Sequence, residues 1–247
     1  MFAILALSLI VGRLIYYIYI YYMSVTICIP TYNRKKFEKL IEHNINTQTY
    51  FNIREIIILD DSDIDDPLCI RTKYPIRYYR VPRCSIGNKR NALVQLTNTD
   101  YVAFMDTDDF YSDYIAYSIF EMESNDKSIA GSADMIVVGY MTKEGCREHL
   151  PTFYKQRCMF LHMLNEATLV FKKSLNPQFA SSNSNEAVPF LQKHLGDIIE
   201  TNIDRVMCCI AHDHNTIPKK QWIQDQYKTN HLSQYNTHLQ IISSINV

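Results

Sequence analysis

The sequence is poor in glycine, and this excludes two common nucleotide-binding motifs. Only six glycines occur among 247 residues, and neither Gly-x-Gly-x-x-Gly nor a P-loop pattern is present. Both motifs need glycines because the backbone has to approach the phosphates closely. A dinucleotide fingerprint and a P-loop nucleotide site are therefore excluded.

The cysteines also lack a pairing pattern. There are seven of them, an odd number, scattered along the chain with no Cys-x-x-Cys. Disulfide frameworks and zinc sites normally show an even count or close spacing. We therefore expect neither, and a reducing compartment fits the sequence better.

Excess positive charge is absent as well. The chain has 25 Lys and Arg against 26 Asp and Glu, a net charge of −1, so no nucleic-acid partner is expected. The hydrophobic content of 47% and charged content of 21% are typical of a chain that can form a sizeable core. The length suits one large domain or two small ones.

The first 23 residues differ in composition from the rest. They are apolar apart from Arg13 and several Ser and Tyr residues, and about 20 apolar residues can span a bilayer as a helix. Arg13 would be costly at a bilayer centre, and no charged region precedes the segment as in a signal peptide. We interpret residues 1–23 as either a membrane anchor or an extension that the fold does not need.

The most informative stretch is an apolar run, Tyr101–Met105, which predicts a buried strand. Three carboxylates follow it within four positions: Asp106, Asp108 and Asp109. Ligands of open α/β sheets bind at the carboxyl ends of the strands. Clustered carboxylates repel one another unless a cation lies between them. The pattern predicts a divalent metal site that could hold a diphosphate, with a solvated acidic loop as the alternative.

Two further apolar runs come earlier in the chain. Ser24–Ile29 predicts a strand, Lys35–Thr47 has helical spacing, and Glu55–Leu59 predicts a strand that ends in Asp60 and Asp61. A strand, helix and strand in which both strands are fully apolar indicate a βαβ unit and a parallel sheet.

Alternating elements continue to residue 216, which we take as the end of a domain that begins at residue 24. Strands are predicted at Pro75–Val81, Ala133–Tyr140, Ala167–Lys172 and Arg205–Ala211, and helices after Gly87, at Ser112–Met122 and at Glu186–Leu195. Residues 217–247 form a polar tail with weak amphipathic spacing, predicted to be helical.

Four motifs follow one another in the chain: Val25–Asn33, Asp60-Asp61, Gly87-x-x-Arg-Asn91 and Phe104–Asp109. In this order and spacing they resemble family 2 glycosyltransferases, over residues 24–216. The run Ile-Gly-x-Lys-Arg-Asn before Met-Asp-x-Asp-Asp-Phe-Tyr is similar to a branch often seen in large DNA viruses and some microbes. The resemblance implies an α/β fold of the GT-A type: Rossmann-like, with a mostly parallel central sheet and helices on both faces.

The resemblance also implies a binding site for a nucleotide-sugar, typically a UDP-sugar. Its residues would be Thr31, Tyr32, Asn33, Asp60, Asp61, Lys89, Arg90 and Asp106. The first three would border the nucleotide pocket, and one of the two adjacent acids would contact the base. Lys89 and Arg90 would approach the diphosphate, and Asp106 would lie near the ribose.

A divalent cation, Mn²⁺ or Mg²⁺, is implied by the same resemblance. Asp108 would hold it where it bridges the diphosphate, and a late histidine would add a contact. His212 is our choice for that histidine; His214 and Asp109 are secondary candidates for metal ligands.

The catalytic base of such enzymes usually belongs to a Glu-Asp pair at the start of a helix. Here the pair reads Glu186-Ala187, so the role passes to Glu186. The implied reaction is an inverting transfer of a sugar to a hydroxyl of a glycan, protein or lipid acceptor.

Two other functions stay open at this point. A degenerate domain could bind a nucleotide or glycan without turnover, and Ala187 in place of an aspartate supports this reading. A nucleotidyltransferase shares the sheet and metal chemistry, although no glycine-rich triphosphate loop lies near residue 31. The expected location is cytoplasmic, host cytoplasm if the chain is viral, or membrane-associated through residues 1–23.

Overall fold

The computed structural model describes residues 23–139, 152–157 and 163–212, together with positions 215, 224, 228 and 229. The strands within these residues are β1 (Val25–Thr31), β2 (Ile53–Asp60), β3 (Ile76–Arg80), β4 (Tyr101–Phe104), β5 (Asp109–Tyr111), β6 (Ile129–Gly131), β7 (Asp134–Gly139), β8 (Thr152–Arg157), β9 (Val170–Lys172), β10 (Ile198–Glu200), β11 (Met207–Ala211) and β12 (Lys228–Thr229). The α-helices are α1 (Glu38–Asn46), α2 (Ile86–Leu96), α3 (Tyr114–Ser124) and α4 (Val188–Lys193).

Seven strands form the central sheet, in the order β10-β6-β9-β4-β1-β2-β3. Neighbouring strands are parallel throughout except at β9, which runs antiparallel to both β4 and β6. The carboxyl ends of β1, β2 and β4 therefore meet at one edge, and the amino end of β9 lies at that same edge.

Both faces of this sheet are covered, because its strands are apolar on each side. On β1, Val25, Ile27 and Ile29 join a buried cluster with residues of α1 and α3. Cys28, which points the other way, joins a second cluster with residues of α2 and α4. The predicted α/β architecture, with a mostly parallel central sheet and helices on both faces, is confirmed.

A second sheet has the order β12-β8-β7-β11-β5. Strand β11 lies between β7, to which it is parallel, and β5, to which it is antiparallel. Since β5 follows directly on the loop after β4, this sheet connects the acidic loop to residues near the end of the described chain.

The first strand runs further than the sequence indicated. Its prediction ended at Ile29, but β1 continues through Pro30 to Thr31. Pro30 pairs with Leu59 on β2, whereas the ladder to β4 stops at Cys28. Proline is tolerated at this position because no strand lies on its β4 side to require an N–H.

Several predicted elements begin later than expected, among them a strand and a helix next to the site. The strand predicted from Ala167 starts at Val170, after a 3-10 turn over Glu166–Thr168. The helix predicted from Glu186 starts at Val188 and ends at Lys193. The three-residue strands β5, β6 and β10 were not predicted at all, since they are too short to show a period.

Some predictions fall on residues outside those described: the segment 1–22, Tyr140, His214 and most of the tail 217–247. The helices of the described residues are each too short or too polar to span a lipid bilayer. In the tail, Lys228–Thr229 form strand β12, paired with β8.

Candidate functional site

Polar side chains gather where β1, β2 and β4 end. Because these strands are parallel neighbours in the sheet, Thr31, Asp60 and Asp106 leave the sheet at one edge. Three adjoining hollows line this edge.

The largest hollow has a volume of about 330 Å³ and contains Arg90, Asp106, Asp108, Glu166 and Glu186. A second, of about 110 Å³, shares Asp106 and Asp108 with it and reaches Thr31, Tyr32 and Lys89. A third, of about 210 Å³, adjoins the second at Thr31 and includes Asn33 and Asp60. The three hollows thus form one continuous edge site rather than separate pockets.

Asp60 is buried, and both of its carboxylate oxygens have partners within the protein. The Ser62 amide donates to Oδ1 at 2.8 Å, and the Ser62 hydroxyl also donates to it. Oδ2 accepts from the Tyr78 hydroxyl at 2.6 Å and from Arg80 at 3.3 Å. Asp60 therefore shapes the turn after β2.

Asp61 is also buried, and it is paired with the lysine that the sequence assigned to the diphosphate. Lys89 Nζ donates to Asp61 Oδ1 at 2.6 Å and to the Thr31 carbonyl at 3.1 Å. Arg83 and the Cys84 amide donate to the other oxygen at 3.2 and 3.0 Å. Lys89 also lines the second hollow, and its pairing with Asp61 fixes its position there.

Tyr32 and Asn33 form the turn beyond β1. The Arg83 guanidinium lies 3.3 Å from the centre of the Tyr32 ring, and the Tyr32 hydroxyl donates to Asp63 at 2.5 Å. Asn33 has a positive φ of 52°, which asparagine tolerates better than most residues, and its amide donates to Ser62 Oγ at 2.6 Å. These contacts hold the turns after β1 and β2 together.

Arg90 connects two carboxylates that are distant in sequence. Its Nε donates to Glu186 at 2.8 Å and its Nη2 to Asp106 at 3.3 Å, and the guanidinium lies 4.6 Å from the centre of the Phe104 ring. Burial opposes the charge on Arg90, but Asp106 and Glu186 outweigh it and hold the pKa of Arg90 above its ordinary value. The third nitrogen, Nη1, has no hydrogen-bond partner among the described residues.

Helix α2, which carries Lys89 and Arg90, is held closely against residues 179–186. The Gly87 amide donates to the Ser182 carbonyl at 3.0 Å, and Asn91 exchanges two hydrogen bonds with the Phe179 backbone. A Cβ on Gly87 would lie 1.8 Å from the Ala180 carbonyl oxygen and 3.1 Å from the Glu186 Cβ. Glycine is therefore required here for the close approach of the segment that carries Glu186.

Asp108 lies beside the predicted late histidine. His212 Nε2 is 2.9 Å from Asp108 Oδ2, although 104 residues separate them in the sequence. Arg34 Nη2 is 3.2 Å from the same oxygen, and the Asn215 amide nitrogen is 3.4 Å away. The turn after β1, the acidic loop and the residues that follow β11 thus converge at Asp108.

These side chains fit a divalent cation for which a bound diphosphate would provide most of the coordinating oxygens. Asp108 offers a carboxylate, which suits Mn²⁺ and Mg²⁺, and His212 adds an imidazole nitrogen, which is a ligand for divalent transition metals. Within the described residues, no group of three His, Cys, Asp or Glu side chains is arranged to hold a metal. Two protein groups are enough where phosphates complete the coordination, as is common for Mg²⁺.

Asp109, a secondary metal candidate, has a structural contact. Its Oδ1 accepts from the Ile210 amide at 3.2 Å, and the Asn44 side-chain amide donates to its carbonyl at 2.8 Å. Both contacts fasten β5 to its neighbours. His214, the other secondary candidate, lies outside the described residues.

Ala187 occupies the position where an aspartate was expected. Its side chain is fully buried and belongs to the apolar cluster of α4 with Phe190 and Leu191. A charged carboxylate there would be buried without a described partner. Glu186 is therefore the carboxylate that this segment contributes to the largest hollow.

Glu166 is the site residue that the sequence reasoning missed. It begins the 3-10 turn before β9 and lines the same hollow as Glu186. Burial raises the pKa of Glu166 to about 7, with repulsion from Glu186 as the next cause. A carboxyl poised near neutral pH is typical of general acids and bases. No motif surrounds Glu166, so its location in the fold is the signal that identifies it.

The sequence has relatives of known family. Residues 26–179 match Glycosyl transferase family 2; Glu186 and His212 lie beyond the matched span. The chain is 33% identical over 108 residues to an uncharacterized glycosyltransferase of Rickettsia felis and 36% identical over 96 residues to the abequosyltransferase RfbV of Salmonella typhimurium. These matches cover 41% and 35% of this chain, but only 18% and 28% of those two proteins.

Solved glycosyltransferase structures share the fold. Residues 1–349 of TarS from S. aureus in complex with UDP-GlcNAc superpose with a TM-score of 0.55 at 14% identity, covering 78% of this chain and 60% of that one. The mannosyltransferase PcManGT from Pyrobaculum calidifontis, in complex with GDP-Man and Mn²⁺, gives 0.55 at 12% identity, covering 81% and 59%. The likeness at these identities concerns the fold, which is the GT-A fold that the family resemblance implied.

Proposed function

Because the chain belongs to Glycosyl transferase family 2, we propose that it transfers a sugar from a nucleotide-sugar to an acceptor hydroxyl, with inversion at the anomeric carbon. A UDP-sugar is the donor that we favour. The observation that carries the proposal is the convergence of Asp106, Asp108 and Glu186 on one hollow of about 330 Å³ at the carboxyl edge of the sheet. Ligands of open α/β sheets bind at this edge.

Two buried groups support the binding of a polar ligand here. Thr31 Oγ1 and Arg90 Nη1 have no hydrogen-bond partner among the described residues, and both residues line the edge site. Buried polar atoms are normally hydrogen-bonded. Oxygens of a donor molecule would complete these hydrogen bonds.

The nucleotide would lie along the second and third hollows, against Tyr32, Asn33 and the turn shaped by Asp60. Lys89, fixed by Asp61, would place a positive charge near the diphosphate and stabilise the charge that builds up on it. Asp106 would lie near the ribose. Asp108 and His212 would hold a divalent cation, whose chemistry at this position is to offset the charge on the departing diphosphate.

Transfer also needs a carboxylate that removes the proton of the acceptor hydroxyl. Glu186 has the placement for this role in the largest hollow, yet its carboxylate is engaged by Arg90 at 2.8 Å. That ion pair, together with Ala187, favours a second candidate function, in which the domain binds a nucleotide-sugar or glycan without turnover.

Membership of the viral and microbial branch is part of the proposal, supported by the Ile86–Asn91 and Met105–Tyr111 patterns. We further propose that residues 24–216 form the glycosyltransferase domain and that the acceptor is a glycan, a protein or a lipid. The proposed location is cytoplasmic or membrane-associated.

Release of nucleotide from a panel of UDP- and GDP-sugars in the presence of Mn²⁺ tests the function. We expect release from at least one donor, and its loss when EDTA removes the metal. The Asp108→Ala variant should lose release while Asp197→Ala keeps it, because Asp197 is half-exposed and lines none of the three hollows. Thermal stabilisation by UDP without release from any donor would instead support the binding function, and the absence of both would contradict both candidates.

A further inference from the structure

We propose that Glu166, rather than Glu186, is the general base of the reaction. The inference rests on the proposed function, and it concerns a residue in a 3-10 turn that no motif marks. Four features of the structure carry it: the polarity of β9, the bonds that fix the turn, the state of Glu186, and the charges around Glu166.

The polarity of β9 brings Glu166 to the site. Because β9 is antiparallel to β4, with Ala103 paired to Val170, the amino end of β9 lies beside the carboxyl end of β4. Glu166 lies just before that amino end. A parallel strand in the same place would have put the residues preceding it at the opposite edge of the sheet.

Hydrogen bonds fasten this turn to the acidic loop. The Asp106 amide donates to the Tyr111 hydroxyl at 2.8 Å, and that hydroxyl donates to the Ala167 carbonyl at 3.0 Å. The Asn165 side chain accepts from the Ala167 amide at 3.2 Å, and the Asn165 amide donates to the Ser132 carbonyl at 2.8 Å. The residues on both sides of Glu166 are thus held, as positioning of a reacting group requires.

Glu186 and Glu166 differ in their partners. Glu186 is buried, and its carboxylate accepts a hydrogen bond from Arg90 Nε at 2.8 Å, so it is already engaged by a cation. Glu166 lines the same hollow, but no basic side chain among the described residues lies within ion-pair distance of it. Among the described residues, no basic side chain therefore competes with a proton for the Glu166 carboxylate, whereas Arg90 holds that of Glu186.

The charged groups around Glu166 come from several elements. The charged side chains that line its hollow are Arg90, Asp106, Asp108, Asp109, Arg157 and Glu186. Glu186 and Asp106 raise the pKa of Glu166 and Arg90 lowers it, after the larger effect of burial. At pH above about 7 the carboxylate form of Glu166 predominates, so this side chain can accept a proton near neutral pH.

The step itself is a single displacement. The Glu166 carboxylate takes the proton of the acceptor hydroxyl, and the acceptor oxygen forms a bond to the anomeric carbon. The bond from that carbon to the diphosphate oxygen breaks, and its electron pair leaves with the nucleotide. Glu166 finishes protonated and returns its proton to solvent.

Nucleotide release from the UDP- or GDP-sugar that the wild type uses, with Mn²⁺ and with water as the acceptor, tests the assignment. We expect Glu166→Gln to lower kcat by about 10²-fold or more with little change in donor KM, and to remove the rise of rate with pH near 7. Glu166→Asp should keep part of the activity. Glu123→Gln is the matched control, because Glu123 is largely buried on α3 and bonded to Lys172 outside the hollow.

The Glu186→Gln variant shows which of the two carboxylates, Glu166 or Glu186, acts as the base. If Glu166 is the base, this variant keeps a rise of rate with pH, moved to lower pH because a repelling charge has been removed. Loss of that rise in Glu186→Gln, or wild-type kcat in a folded Glu166→Gln variant, would overturn the assignment and leave the transferase function standing. A wild type that releases nucleotide from no donor would overturn both.

Discussion

Arg90 and Glu186 form a buried ion pair across 2.8 Å, although 96 residues separate them in the sequence. The same guanidinium contacts Asp106 at 3.3 Å. One side chain on α2 therefore holds the loop after β4 and the segment before α4 in a fixed relation. Both carboxylates face the largest hollow, so the shape of the site depends on this arginine.

Replacing Arg90 by methionine should be strongly destabilising. The change leaves the Glu186 carboxylate buried without its partner, and breaking a buried pair on one side costs about 3–5 kcal/mol. Urea unfolding followed by circular dichroism measures the loss. The double variant Arg90→Met/Glu186→Gln should be less destabilised than the single one, because the orphaned charge is removed. Equal or greater loss in the double variant would contradict the role of the pair.

Gly87→Ala should lower stability through a steric clash. The new Cβ would lie 1.8 Å from a backbone oxygen, so α2 or residues 180–186 must move, and such overpacking costs about 1–3 kcal/mol. Gly196→Ala is the matched control, since nothing lies within 4 Å of its Cβ position, and a change within about 0.5 kcal/mol is expected. Equal unfolding midpoints for the two variants would show that the close approach at Gly87 is not needed.

Asp108→Asn should abolish the part of nucleotide binding that depends on metal. The wild type is expected to gain roughly 2.7 kcal/mol of stability from UDP at 100 times its dissociation constant, and more of that gain with Mn²⁺ than without. In the variant the Mn²⁺ increment should vanish, because the amide no longer supplies a charged ligand. Differential scanning fluorimetry with UDP, with and without Mn²⁺, measures it, and Asp197→Asn should retain the increment.

Glu166→Gln should change how stability depends on pH. The pKa of Glu166 is raised to about 7 from an ordinary value of 4.5, so the folded state holds this proton more tightly than the unfolded state does. That contribution to stability is fully present below pH 4.5 and is lost as pH rises through about 7. The stability of the wild type relative to Glu166→Gln should therefore fall, by up to about 3 kcal/mol, between pH 4 and pH 8. Parallel unfolding curves at all pH values would contradict a raised pKa.

Much of the edge site could be predicted because it depends on local sequence and on parallel strands. The apolar runs that end at Asp60-Asp61 and at Asp106 are recognisable as strands of βαβ units. Because such strands are parallel, the residues that follow them lie at one edge of the sheet. The approach of His212 to Asp108 was expected from the family resemblance, and the two side chains are in contact.

Glu166 could not be found in this way. Its prediction requires the insertion of β9 between β4 and β6 with reversed polarity, and a three-residue strand has no periodicity that would reveal its partner or direction. The ion pair between Lys89 and Asp61 was also not predicted. These residues are 28 positions apart, and their contact depends on how closely the turns after β1 and β2 approach α2.

The place of β11 within the second sheet has a consequence for biosynthesis. Asp109 and Ile210, joined by a hydrogen bond, are 101 residues apart, and β11 fills the gap between β5 and β7. While the ribosome is still adding residues up to 211, those two strands have open edges that can pair with other nascent chains. Completion of this sheet is thus a late event, and polypeptides arrested before residue 207 should be aggregation-prone.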